Sequence, residues 1–385
     1  MRKRMRRRIG DALPRLSAIL VVPAEASGVV SLCAKLFTVG PVEVREDTMK
    51  AMCKPMITHR SEDYKILHRS VVEMLHEAFE TDLQPLLCGS SATGLMEACV
   101  RSGVQSRMLG MSNGSFGDRW QGIGSENGKE VLKVNGAWGK ALHGSDAVGA
   151  IDGSIEAVTV VHNESSTGVM NPVHEIAETI RKKADPLLLV DVVTSAGSVD
   201  LRLKELDPDA VVFGTQKAMA CPPGLAVMFA SDRLLKKAET VRNRGYYFDL
   251  SEMKKFADRD LTLTTPPISI IYGLEHQLEK MLREGMRTRY ERTHEMAELV
   301  RSWALKRFGL YAEEGYRSET IIVIQFDQFD FARFNKGLKA RGYEISSGYG
   351  KCKEITFRIG TMGDLTVPDI KGLLNVMDEV LEEMQ

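Results

Sequence analysis

Two short apolar runs each end in a residue able to do chemistry. Residues 187–190 (LLLV) lead into Asp191, and residues 210–213 (AVVF) lead into GTQK, which ends in Lys217. Runs of this length, bounded by turn residues and separated by a connector, suit neighbouring strands of a covered sheet. Ligands of open α/β sheets lie just beyond such strand ends. An acid at one strand end and a lysine after the next is the arrangement pyridoxal 5'-phosphate (PLP) requires. The amine forms a Schiff base with the aldehyde, and the carboxylate keeps the pyridine nitrogen protonated so that the ring accepts a carbanion's electrons. A lysine after a strand is, by itself, more often a solvated surface residue. Here VVFGTQKAMACPPG surrounds Lys217 with small residues and ends in a rigid PPG turn, an unusual setting for a solubilising charge.

Three segments, NESSTG (163–168), LLLVDVVTSAGS (187–198) and GTQKAMACPPG (214–224), occur in an order and spacing that resembles one family. It is the class V aminotransferases of PLP fold type I, and within them the alanine:glyoxylate and serine:pyruvate aminotransferase group. The resemblance runs from about residue 36 to the C-terminus. It implies an α/β fold with a large domain built on a mainly parallel seven-stranded sheet, and a smaller C-terminal α/β domain. We therefore expect a basic extension over 1–35, the PLP-binding domain over 36–275 and the small domain over 276–385.

The elements around Asp191 and Lys217 carry further candidates. LLCGSSATGLMEACV (86–100) reads as a strand, a turn of small polar residues and a helix. The first-turn amides of such a helix suit an anion, although an ordinary capped helix has the same pattern. By resemblance, Ser91, Ala92 and Thr93 hold the PLP phosphate, with Ala92 where the family usually has glycine. Phe116 sits between two glycines in SNGSFGDRW; it either packs in an interface or, as the resemblance implies, stacks on one face of the PLP ring opposite Val193. The resemblance also assigns Ser166 to the region of the cofactor's phenolic oxygen and Gln216 to the cofactor. It implies that Thr265, in LTLTTPP, reaches the phosphate in a partner's active site, making the enzyme a homodimer.

Three sites face the substrate question. Gly40, in LFTVGPVEV, either lets the chain approach a ligand or makes a plain turn. His59 and Arg60 read as members of a surface salt bridge or as a fork for a carboxylate or phosphate. Arg358 lies inside the apolar strand of ITFRIG, where a charge is seldom buried without a partner. The resemblance implies that it grips the substrate α-carboxylate in a two-pronged contact; a structural salt bridge is the alternative.

Composition bounds the rest. The 385 residues exceed one hydrophobic core, and 43% hydrophobic and 27% charged residues are ordinary globular values. A formal net charge of -1 argues against general nucleic-acid binding. The six cysteines show neither metal-ligand spacing nor a compact disulfide framework, so reduced thiols in a cytoplasmic protein are expected. HEIAE (174–178) and HEMAE (294–298) lack the second histidine of a zinc helix, so no metal is expected. MRKRMRRR, the apolar run 16–22 and PAEASG superficially match a secretory signal. A disordered extension or an upstream translation start is expected instead. No run approaches the roughly 18 apolar residues of a membrane span.

The function implied is ping-pong transamination between a small amino acid (alanine, serine or aspartate) and a 2-oxo acid (glyoxylate, pyruvate or 2-oxoglutarate). Three alternatives stay open. They are an enzyme dedicated to aspartate or phosphoserine through His59-Arg60, a cysteine desulfurase or lyase using Cys352, and a non-catalytic PLP-binding protein.

Overall fold

Alternation along the strands decides the architecture. In β5 (Leu187–Asp191) every residue is buried, with Leu188 and Val190 in one core cluster and Leu187 and Leu189 in another. β6 (Ala210–Gly214) divides the same way, with Val211 and Phe213 on one face and Ala210 and Val212 on the other. A strand whose two faces are both apolar must be covered on both sides.

A computed structural model describes residues 34–385, and the expected extension over 1–35 lies, but for its last two residues, outside the described residues. β5 and β6 belong to a seven-stranded sheet with β1 (Gln84–Cys88), β2 (Arg107–Ser112), β3 (Glu130–Asn135), β4 (Ala157–Val161) and β7 (Ala226–Ala230). The spatial order is β1-β7-β6-β5-β4-β2-β3. Only β7 is antiparallel to its neighbours. Because β7 reverses direction, β1 runs parallel to the rest. The C-terminal ends of β1, β2, β4, β5 and β6 therefore emerge at one edge, where a ligand is expected in such sheets.

Helices close both faces. Leu67, Val71 and Leu75 of α1 (Glu62–Phe79) join the first cluster, and Leu95, Met96 and Cys99 of α2 (Ala92–Gly103) join the second. α3 (Ser115–Glu126) follows β2, and α4 (Ile268–Glu284), which contains the expected domain border at 275/276, packs with α1.

A second sheet is antiparallel and has the order β8-β9-β11-β10, comprising β8 (Gly309–Leu310), β9 (Ile321–Gln325), β10 (Ser346–Ser347) and β11 (Thr356–Gly360). Its apolar face packs on α5 (Met286–Ala304) and α6 (Val367–Met384) through Val300, Trp303, Ile322, Phe357, Leu373 and Met377. Lys35–Leu36 pairs in parallel with Tyr343–Glu344, and Phe37 lies in that same cluster, so the start of the described chain packs with its end. A small cluster of Val39, Val42, Ala218, Ala220, Ile321 and Val323 joins the Lys217 turn to the second sheet. Among the described residues no helix is long and apolar enough to cross a membrane.

Candidate active site

The strand ends open onto a cavity of about 400 Å³ whose lining includes Gly40, Phe116, Asp191, Val193, Gln216 and Lys217. Ser91, Ala92 and Thr93 line it as well. They arrive on several separate elements, so the sheet edge is what assembles them.

Lys217 is carried by a turn that leaves β6. The Thr215 hydroxyl donates to the carbonyls of Pro222, at 2.8 Å, and Leu225, at 3.1 Å, while the Cys221 amide donates to Thr215 at 3.0 Å. Ala220 takes a left-handed φ of 46°, rare for a residue with a side chain. Buried groups from α4 and α5 hold this turn. Gln277 Nε2 donates to the Ala220 carbonyl at 3.2 Å, and Arg289 Nη2 donates to the Ala218 carbonyl at 2.8 Å. Lys217 Nζ donates to the carbonyl of Val39. Gly40 lies so near that a Cβ there would come within 2.5 Å of Nζ, and its φ of 118° also suits glycine. Burial, then the charges of Arg358 and Arg119, hold the amine down to about 8, with Asp191 opposing.

Asp191 ends β5 almost fully buried, its Oδ1 accepting the Val193 amide at 2.9 Å. Burial pushes the carboxyl up to about 6, and the nearby Glu164 pushes the same way. This acid keeps a proton readily, and a cationic ring nitrogen facing it would restore its charge.

Ser91 is the N-cap of α2, but its side chain makes no capping hydrogen bond. Ser91, Ala92 and Thr93 line the cavity at this helix start, where first-turn amides are free to meet an anion. Arg358, only 6% exposed, donates from Nε to the Ser347 carbonyl at 2.9 Å and from Nη1 to the Ser165 carbonyl at 3.0 Å. Among the described residues no carboxylate lies within 4 Å of it, so the structural salt bridge is absent and the guanidinium is suited to an incoming carboxylate.

Not every candidate comes to this cavity. The Ser166 hydroxyl donates to Glu164 Oε1 at 2.6 Å and accepts the Ser115 amide at 3.0 Å; its neighbour Ser165 lines the cavity. His59 and Thr265 form a separate exposed pair at 3.4 Å. Arg60 donates to the carbonyls of Thr262, at 2.7 Å, and Leu263, at 3.0 Å, with its guanidinium 4.8 Å from the Phe256 ring centroid. It braces the segment leading to Thr265 rather than lining the cavity. Cys352 is buried, its sulfur 3.2 Å from the Ser166 carbonyl and 3.1 Å from that of Tyr349, which is not a nucleophile on a mobile loop.

Sequence reasoning missed Glu164, Arg119 and Asn163. Glu164 is wholly buried; its Oε2 accepts the Phe116 and Gly117 amides at 3.0 and 3.1 Å, fixing the first turn of α3 and with it Phe116. A carboxylate among small residues in NESSTG was the available signal. Arg119 lies three residues after Phe116, on the same helix face, and lines the cavity together with Asn163.

A seven-stranded sheet of this order, with a lysine and a buried acid at adjacent strand ends, defines the PLP-dependent transferases of fold type I. A family model described as "Aminotransferase class-V" matches residues 117–365, and the chain belongs to that family. It is a PLP-dependent aminotransferase. An uncharacterized aminotransferase of Methanocaldococcus jannaschii is 31% identical over 358 residues, covering 90% of this chain and 92% of that protein. An L-aspartate--glyoxylate aminotransferase of Paracoccus denitrificans is 30% identical over 86% of this chain and 87% of its own length. Among solved structures, an aspartate aminotransferase of subgroup IV from Thermus thermophilus superposes with a TM-score of 0.85 at 26% identity, covering 91% of this chain and 99% of that one.

Proposed function

We propose that the protein moves the amino group of a small amino acid (alanine, serine or aspartate) to a 2-oxo acid (glyoxylate, pyruvate or 2-oxoglutarate) in two half-reactions at one site. The observation that carries this reading is the convergence of Lys217 and Asp191 on one cavity, beside a buried Arg358 that has no carboxylate partner among the described residues. The aspartate and glyoxylate options draw support from the Paracoccus relative.

PLP, when bound, supplies a conjugated ring that takes up the electrons left when the α-proton departs. Lys217 Nζ would hold the coenzyme covalently and, as a free amine, would carry that proton away from the α-carbon. An amine held down to about 8 is partly neutral near pH 7.5, as both tasks need. Asp191 would pair with the ring nitrogen, Phe116 and Val193 would flank the ring, and the amides at Ser91, Ala92 and Thr93 would meet the phosphate, with Gln216 beside them. Ser166 acts at second hand, through Glu164 and the start of α3. Arg358 orients the substrate by its α-carboxylate, and Gly40 leaves room for the lysine.

The protein works as a homodimer in which Thr265, with His59 beside it, completes the partner's site. Supporting this, Met56 is 68% exposed, Ile66 57% and Tyr246 77%, in segments next to His59 and in the chain leading toward Thr265. The same proposal includes a reducing, cytoplasmic setting for the free thiols of Cys88, Cys99, Cys221 and Cys352.

The test is a panel of amino donors and oxo-acid acceptors, combined with borohydride treatment of the purified protein. Borohydride should fix the coenzyme to the peptide containing Lys217, and Lys217→Ala should abolish turnover. Attachment at another lysine, or sulfide release from cysteine exceeding every transamination rate, would overturn the reading.

A further inference from the structure

Arg119 lines the cavity together with Lys217, and the proposed function, which uses Lys217 and the nearby Arg358, gives it no role. It is half-buried in the first turns of α3, and among the described residues no Asp or Glu carboxylate lies within 4 Å of its guanidinium. Its side chain is nonetheless held in place. Nη1 donates to Thr93 Oγ1 at 3.2 Å, and the guanidinium carbon lies 4.7 Å from the centroid of the Phe116 ring. Stacking on an aromatic ring fixes the plane of the fork, and a guanidinium keeps its charge at any working pH.

The hydrogen bond to Thr93 gives the direction. A threonine hydroxyl that accepts from a cation retains its own hydrogen to donate elsewhere. Here that hydroxyl stands beside the uncapped first turn of α2, where Ser91 and Ala92 also face the cavity. Helix amides, a hydroxyl and an uncompensated guanidinium thus converge on one end of the space. Arg358 is held by carbonyls of Ser347 and Ser165. Among the described residues neither guanidinium has a carboxylate within 4 Å, and a phosphorylated coenzyme with a carboxylate substrate supplies an anion for each.

We propose that Arg119 is a coenzyme-binding residue whose charge, acting with Thr93 and the first-turn amides of α2, selects the phosphorylated form of the coenzyme over the free aldehyde. This rests on the reading of the cavity as a PLP site and adds to it the residue that discriminates.

Apo-protein resolved from the holoenzyme is dialysed to equilibrium against PLP and, separately, against pyridoxal, which lacks the phosphate. Arg119→Gln should weaken PLP binding about ten- to a hundredfold, the range of a lost charge-assisted hydrogen bond, and leave pyridoxal binding within about twofold. Arg119→Lys, which keeps the charge but not the fork, should fall between the two and still prefer PLP. An equal loss for both ligands in either variant would assign Arg119 to folding alone and overturn the proposal. An unchanged PLP to pyridoxal ratio with KM raised only for dicarboxylate substrates would overturn it in favour of substrate binding. If the unaltered protein binds no PLP, the reading of the cavity itself fails; if it binds PLP and the variants do not change the ratio, only the Arg119 assignment fails.

Discussion

Asp191 illustrates how a functional group is kept at odds with its surroundings until its ligand arrives. Its carboxyl, ordinarily near 3.8, is pushed up to about 6 by burial and by Glu164. Between those two pH values the folded, ligand-free protein binds more protons than the unfolded chain, so its stability falls as pH rises through that window. The shift corresponds to roughly 3 kcal/mol, present in full above pH 6. Ligand-free Asp191→Asn should therefore melt at a higher temperature than the unaltered protein at pH 7.5. The gap should close as the pH is lowered toward 4. Equal melting at pH 7.5, or a gap that widens on acidification, would refute this account. Stability given up at a working site is common in enzymes.

At the scale of elements, the site depends on parts distant in sequence. Arg289, only 2% exposed in α5, donates from Nε to the Gly197 carbonyl at 3.0 Å. Through Nη2 it reaches the carbonyls of Ala218 and Gly363, and its charge is met by Glu284 at 3.0 Å. One side chain thus ties the loop after β5, the Lys217 turn and the loop after β11. Replacing it with methionine removes every donor and leaves the Gly197, Ala218 and Gly363 carbonyls without it, while Glu284 keeps Arg292 at 2.7 Å. Arg289→Met should cost about 3–5 kcal/mol in urea unfolding, through the three carbonyls that lose a charged donor. A loss below about 1 kcal/mol would mean that water or neighbouring groups take over its contacts. Glu164 serves the start of α3 in a similar way, receiving the two amides that position Phe116. Neither residue announced itself by spacing, because each acts through backbone atoms that only folding brings near.

The whole molecule raises the question of assembly. Met56, Ile66 and Tyr246 are exposed in segments next to His59 or in the chain leading toward Thr265, and an interface there would cover apolar side chains that solvent otherwise meets. Sedimentation equilibrium should give twice the chain mass. Met56→Glu would place a charge in that face, lowering the assembly to a monomer and its turnover with it. A fully active Met56→Glu monomer would refute both the interface and the reach of Thr265 into a partner's site.

The strands, their order of function and the acid-lysine pair were legible from local signals. The apolar runs LLLV and AVVF are covered strands, each ending in its polar residue or turn, and β7 lies antiparallel between β6 and β1. Lys217, Asp191, Phe116 and the 91–93 turn line one cavity because each follows closely on the end of a strand. The tertiary structure alone decided that Ser165 rather than Ser166 lines the cavity, that Arg60 braces a backbone segment, that Arg119 lines the cavity, and that Arg358 is held by the carbonyls of Ser347 and Ser165. Hydrophobic pattern and turn chemistry are written along the chain and survive in one dimension. The direction of a side chain, and whether a charge has found its partner, depend on contacts between residues hundreds of positions apart.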